Sequence, residues 1–482
     1  MSTKAHPPTD ATPADVRTTF RERAARRRFH RTWLTVVIVL AVAAAGLGVA
    51  SIAQGPRLLS AAVNAGATIE RSGQRLVLQA DQPLATVEAR DVTVEPAAPI
   101  ELTADGARLT VQFTGMLRYA TEYHVSVRVL SAATGAASRL EYRFITPDIA
   151  TFSLVRHDPG ADGTDRVVRH SLSGDTDDLT MLQVPRIQEY VRAGEAIAAV
   201  VLDERDAPSL VLVAPDGTTT PVSVPSVRGI RSLRVASSGD LLGYLVEDDD
   251  AAGTTRLTLL DLSDASWVPI EVRGPAGTTL SVLDWTFAPG TTSVVAQAID
   301  QQIYLVDPIA GSEATPLGQH TELRGFLGGT LRLVVADPDG GAIIDLTDGT
   351  TTDLGLPLAE VPPGLYPDAF VLTSLASYVE LYTDPMGYAD VGARSILYAV
   401  DAEGTRELFR PATATSRIGA VCLSPNGEYL AVEVVPGNAK RDDYRDAPGW
   451  SGTTIYYVDA ASGATSRGVT GMAADWCAQP GA

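Results

Sequence analysis

Apolar and polar residues alternate along most of this chain with the period of two that a half-buried strand imposes. Leu76 and Leu78, Leu109 and Val111, and the run Tyr123, Val125, Val127, Val129 all sit between polar neighbours. Gly, Pro and Asp punctuate the alternation, as at Ala104-Asp105-Gly106. One stretch breaks the rule: Trp33 to Ala53 reads WLTVVIVLAVAAAGLGVASIA, without a charge. About 20 helical residues cross a hydrocarbon core of ~30 Å, so this run predicts a transmembrane helix over 33–53.

Arginines at 21, 23, 26, 27, 28 and 31 precede that run, whereas Arg57 follows it closely. The positive-inside rule then predicts a single-pass protein of the cell membrane. Residues 1–32 would be a basic cytoplasmic tail and everything after 53 extracytoplasmic. A cleaved signal peptide with a small-residue site at Ser51–Ala53 is the alternative.

Beyond the span the pattern predicts two β domains. Residues 58–148 hold short strands at regular spacing, as in a β-sandwich. From 149 to 482 a unit recurs, a strand followed by a turn with Asp or Gly. Its copies are Val167–Gly174, Leu210–Gly217, Leu257–Asp264, Ile303–Gly311, Ala342–Gly349, Ile396–Gly404 and Ile455–Gly463. Spacings of roughly 40–60 residues fit propeller blades, small sheets that bury their faces only against one another. Seven blades fit best; six or eight remain open.

Two resemblances sharpen this. The first domain carries Asp81-Gln82-Pro83-Leu84, Asp105-Gly106 before Leu109-Thr110-Val111, Thr121-Glu122-Tyr123 and a closing Phe144-Ile145-Thr146-Pro147. It resembles the bacterial Ig-like domains of the SbsA type, which implies a spacer or adhesion module without catalytic residues. Ser424-Pro425-Asn426-Gly427-Glu428-Tyr429-Leu430-Ala431 resembles the TolB-type, WD40-like propeller repeat, with weaker copies at Ser237–Asp240 and Ala288–Gly290. The fold expected is therefore all-β: transmembrane helix, Ig-like sandwich, then propeller.

Leu283-Asp284-Trp285-Thr286-Phe287 and Ala474-Asp475-Trp476-Cys477-Ala478 align without a gap, yet no strands follow the second. The first unit in turn lacks an innermost strand, so Ala474–Ala478 is expected to supply it and close the ring. On this alignment Cys422 and Cys477, the two cysteines of the chain, occupy equivalent places in neighbouring blades. An even pair outside the cytoplasm predicts a disulfide across the closure. Two buried thiols are the alternative.

The formal net charge is −20. Because the first 33 residues are basic, the remainder is more acidic still, which argues against nucleic-acid partners. No G-x-S-x-G, H-E-x-x-H, P-loop or G-x-G-x-x-G string is present, and no zinc cluster can be assembled. The spacing of Asp158, Asp162 and Asp165 is faintly similar to a calcium loop, but no later Glu completes it. No catalytic residue, metal or cofactor is expected.

What remains is loop chemistry. Second-to-third-strand loops of a propeller emerge at one end, and several here mix acids, Arg and aromatics, the residues that dominate interfaces. Asp384, Tyr388 and Asp390 of blade six and Arg441, Asp442, Asp443, Tyr444, Arg445 and Trp450 of blade seven form the candidate binding surface. The reading is a membrane-anchored binding or scaffolding protein for an unidentified protein or cell-envelope ligand, not an enzyme. The alternative is an extracytoplasmic carbohydrate-active enzyme using the propeller channel, with Asp284 and Asp475 as paired carboxylates.

Overall fold

The computed structural model describes residues 32–43, 55–158, 163–224, 227–248, 254–264, 266–328, 330–384 and 394–478. The expected transmembrane helix is not found there. A helix is described over 32–43, and no helix among the described residues is long and apolar enough to cross a membrane. At ~1.5 Å per residue that stretch covers roughly 18 Å of a core about 30 Å thick. The single-pass topology, with its cytoplasmic tail and extracytoplasmic body, is therefore not supported by the described helices.

The chain divides into two units. The first contains two antiparallel sheets. One runs Leu58–Ala62, Arg75–Ala80, Arg108–Phe113, Ile100–Asp105; the other runs Val92–Glu95, Glu122–Leu130, Ala137–Ile145. Alternation becomes burial here: Leu76, Leu78, Leu109, Val111 and Phe113 are fully buried while the residues between them are not. Phe113 of one sheet lies 6.1 Å from Phe144 of the other, ring centre to ring centre.

The second unit holds seven consecutive antiparallel sheets, each a meander in strand order. Sheet order and succession define a seven-bladed β-propeller. Blades two to seven have four strands and span 187–221, 229–271, 282–319, 322–353, 366–409 and 417–470. Blade one has three: Ala150–Val155, Asp165–Ser171 and Leu179–Val184. The ring is closed where Leu154 and Met472 exchange both backbone hydrogen bonds, at 2.8 and 2.9 Å.

Closure therefore involves the expected end of the chain but not the expected strand. Asp475–Ala478 is a turn of 3-10 helix. Ala473, at φ 51°, turns the backbone out of the extended conformation immediately before it. Trp476 then packs edge-on against Tyr457 of blade seven at 5.1 Å. Cys422 is disulfide-bonded, and Cys477 is the other cysteine of the sequence.

Two local devices shape the ring. In each four-stranded blade the ladder slips in the innermost strand: between Ile187 and Glu189, Arg231 and Arg234, Val282 and Asp284, Leu323 and Gly325, Pro367 and Phe370, and Ile418 and Val421. Such bulges bend a strand and re-aim its side chains. Second, a polar side chain opening the middle strand of blade one or the third strand of blade six grips the innermost strand that follows in the chain. Asp165 accepts from Ile187 N at 2.8 Å, and Ser395 accepts from Ile418 N at 2.7 Å.

Segments 65–72 and 115–121, though early in the sequence, belong to this second unit. Arg118 bridges Glu428 at 2.7 Å and Asp459 at 2.6 Å, and Glu428 also accepts from Tyr119 N at 2.7 Å. Asn426 donates to Leu117 O at 3.0 Å. The clearest copy of the repeat motif, Ser424–Ala431, is thus used as a dock as well as a turn.

Candidate functional site: a strap across the loop end of the propeller

In every blade the second-to-third-strand loop and the connection to the next blade emerge at the same end, because a meander reverses direction at each strand. We call this the loop end. Its dominant feature among the described residues is the segment 436–453 of blade seven, between Tyr429–Val435 and Thr454–Asp459. The segment does not project into solvent. It lies as a strap over its neighbours.

Arg441 and Trp450 pair as an isolated bridge at its base. Asp442 accepts from Gly449 N at 2.9 Å and binds Arg156 of blade one at 2.5 Å. Both side chains are almost fully buried. Arg156 also donates to Ile187 O at 3.2 Å and Gln188 O at 2.5 Å, and its guanidinium lies 3.7 Å from the Tyr444 ring centre. Arg186 approaches the same ring at 4.4 Å and pairs with Asp443 at 3.1 Å. A tyrosine between two guanidiniums gains cation–π attraction on top of its burial.

Tyr444 is anchored through its hydroxyl, which donates to Asp165. Asp165 is wholly buried and accepts from Ile187 N at 2.8 Å and from His157 N at 3.1 Å, with His157 Nδ1 at 2.8 Å. Burial, then the Asp165 carboxyl, hold the Tyr444 phenol above its ordinary range. Farther along, Arg445 reaches Glu247 of blade three at 2.8 Å. The strap needs glycine at 449: a Cβ there would meet Met472 Sδ at 2.3 Å.

The nine residues expected to form a binding surface thus fare differently. Asp442 and Tyr444 are buried in contacts within the chain. Trp450 is half-buried beneath Arg417, at 4.8 Å. Arg441, Asp443 and Arg445 keep exposed surface. Asp384 faces Arg394 at 3.6 Å, while Tyr388 and Asp390 lie outside the described residues. Residues 159–162 of the calcium-like stretch also lie outside them, and no group able to hold a metal occurs among the described residues.

Two arrangements bear on catalysis. Asp284 pairs with Arg234 at 2.8 Å, and Asp475 accepts from Phe152 N at 3.0 Å, so each carboxylate is committed to holding the ring together. Sequence reading missed a Ser–His–Asp series: Ser153 Oγ lies 2.9 Å from His170 Nε2, and His170 Nδ1 lies 2.9 Å from Asp178. Ser153 has no exposed surface and donates to Thr470 O at 3.0 Å. A nucleophile must reach its substrate; this hydroxyl ties blade one to blade seven instead.

Two carboxyls, Glu433 and Asp475, are buried at the closure, and a third, Glu189, is buried between blades two and three. Burial pushes Glu433 up to about 7, against the pull of the Ala473 and Ala474 N–H groups. Burial likewise pushes Glu189 up to about 7 and Asp475 up to about 6. These pKa values lie above those of the unfolded chain, so the folded state holds the extra protons. The stability these three groups contribute should be fully present below about pH 4 and be lost as pH rises to about 7, by on the order of a few kcal/mol. Glu433→Gln keeps an acceptor for Ala473 N but cannot ionise. Its melting temperature should therefore drop less than that of the native protein between pH 5 and 8. Parallel curves would refute the assignment.

No family model and no curated protein matches the chain. Among solved structures it is similar to TolB from Acinetobacter baumannii, at 12% identity over 79% of this chain and 80% of that one, TM-score 0.34. It is also similar to the propeller domain of the Trilobed protease from Pyrococcus furiosus, at 9% identity over 70% and 91%, TM-score 0.39. The tricorn protease matches at 12% identity over 83% of this chain and 43% of that one, TM-score 0.42. At these TM-scores the likenesses add nothing to the sheet order, which by itself makes this chain a β-propeller protein.

Proposed function

We propose that the chain is a binding module which holds a protein partner on the part of its loop end that the strap leaves open. One observation carries this reading. The strap's contacts run over blades one to three, whereas blades four to six present large apolar side chains to solvent at the same end. Leu283 is 51% exposed, Ile299 72%, Leu358 91% and Tyr366 56%. Exposed apolar side chains gathered on one face mark interaction sites. The TolB-type repeat and the Ig-like reading of the two-sheet unit fit a scaffold that presents a surface without chemistry of its own.

A photo-crosslinking amino acid at Ile299 or Leu358, introduced in the cells that make the protein, should give discrete adducts. The same probe at Val268 or Ile309, exposed at the opposite end, should not. Adducts only from the opposite end, or from none of the four sites, would refute the proposal.

A further inference from the structure

We infer that the partner of this open surface presents a cationic, aliphatic segment: lysine or arginine side chains set between leucine-like ones. The inference rests on the binding-face reading above and adds the partner's chemistry. Around the four exposed apolar side chains the loop end carries Asp300, Glu322, Asp339 and Glu360, all exposed. The arginines among them are already answered, Arg324 by Glu322 at 2.8 Å and Arg394 by Asp384 at 3.6 Å. Acids therefore exceed bases on this surface as they do in the whole chain, whose net charge is −20.

Such a field draws in cations and repels nucleic acid, anionic lipid and a second copy of the same acidic body. The apolar side chains select against a merely charged partner, because burying Ile299 or Leu358 requires apolar surface in return. Arg324 sits in the blade-five bulge, between Leu323 and Gly325.

The test uses the full chain and three fluorescent peptides of one leucine pattern, with lysine, glutamine or glutamate at the polar positions, read by anisotropy. The lysine peptide should bind about tenfold or more tighter than the glutamine peptide, and lose about tenfold when ionic strength rises from about 0.05 to about 0.5 M. The glutamate peptide should not bind. Ile299→Asp and Leu358→Asp are decisive because each adds a negative charge. Diffuse attraction would strengthen in these variants, whereas a docking surface loses its apolar half and about tenfold in affinity. Both positions are exposed, so folding is checked by unchanged circular dichroism, with Val268→Asp as the control that leaves binding intact. Equal binding of lysine and glutamine peptides, or undiminished binding by the two variants, overturns the inference. Crosslinks at Ile299 and Leu358 alongside peptides that bind irrespective of charge would leave the binding face standing and remove only its cationic partner.

Discussion

Asp165→Ala should destabilise this protein by about 3–5 kcal/mol and release the strap. The carboxyl is the common acceptor for the Tyr444 hydroxyl, the Ile187 N–H and the His157 N–H, in a place with no access to water. Removing it strands those donors together, and each buried unpaired group costs about 1–3 kcal/mol. Tyr444→Phe deletes one hydrogen bond and leaves the ring between its arginines, so it should cost only about 1–2 kcal/mol. Two readouts separate stability from strap release. Thermal melting reports the first. Trypsin reports the second, because Lys440, Arg441 and Arg445 lie within the strap. In the native protein these sites should resist cleavage, and in Asp165→Ala they should be cut well below the melting temperature. Resistance equal to the native protein's would show that Asp165 is not the strap's anchor.

Trp285→Ala should cost about 3–5 kcal/mol, through loss of the largest fully buried side chain among the described residues and the cavity left behind. Trp285 packs between blades three and four, edge-on to Phe287 at 5.1 Å. It fits only because position 243 has no side chain: a Cβ there would meet Trp285 Cη2 at 2.1 Å and Leu259 Cδ2 at 2.9 Å. Gly243→Ala should therefore cost about 1–3 kcal/mol by overpacking. The pair must also be non-additive. With Trp285 reduced to alanine, the methyl at 243 enters vacated space, so the double variant should be more stable than the two single losses predict. Strict additivity in denaturant melts would mean that the two sites do not share this contact.

The number of blades was readable because each third strand is followed by an Asp- or Gly-bearing turn. Six of the seven repeat copies read from the sequence fall on third strands, such as Leu210–Gly217 on Pro208–Val213 and Ile455–Gly463 on Thr454–Asp459, and the seventh, Val167–Gly174, on the middle strand of blade one. Closure by the C-terminal residues was readable from the match of Asp475-Trp476 to Asp284-Trp285. Its geometry was not, because Ala473 turns by its backbone rather than by its residue type. The apolar run suggests a membrane span, but no helix among the described residues is long and apolar enough to be one.

The strap was chosen for its composition, and its composition is what hides it. Tyr, Arg and Asp suit an internal interface as well as an external one, and only coordinates show that Tyr444 meets Arg156 and Asp165 of the same chain. The bulges leave no mark in alternation either. A bulge is a slip against a neighbouring strand, and Gln188, Ser232 and Leu283 share no residue type that would announce it. Leu283, Ile299, Leu358 and Tyr366 are far apart in sequence and only the meander brings them to one end.

The bond pair between Leu154 and Met472 also sets a timetable. A ribosome delivers Leu154 long before Met472, and at ~5–20 residues per second the interval is roughly 15–60 s. Throughout it the strand Ala150–Val155 has an open edge, and an open edge recruits any extended chain nearby. A translation pause before Met472 is made, or a truncation short of it, would leave the nascent ring unlatched and its edge strand free to pair with a substitute.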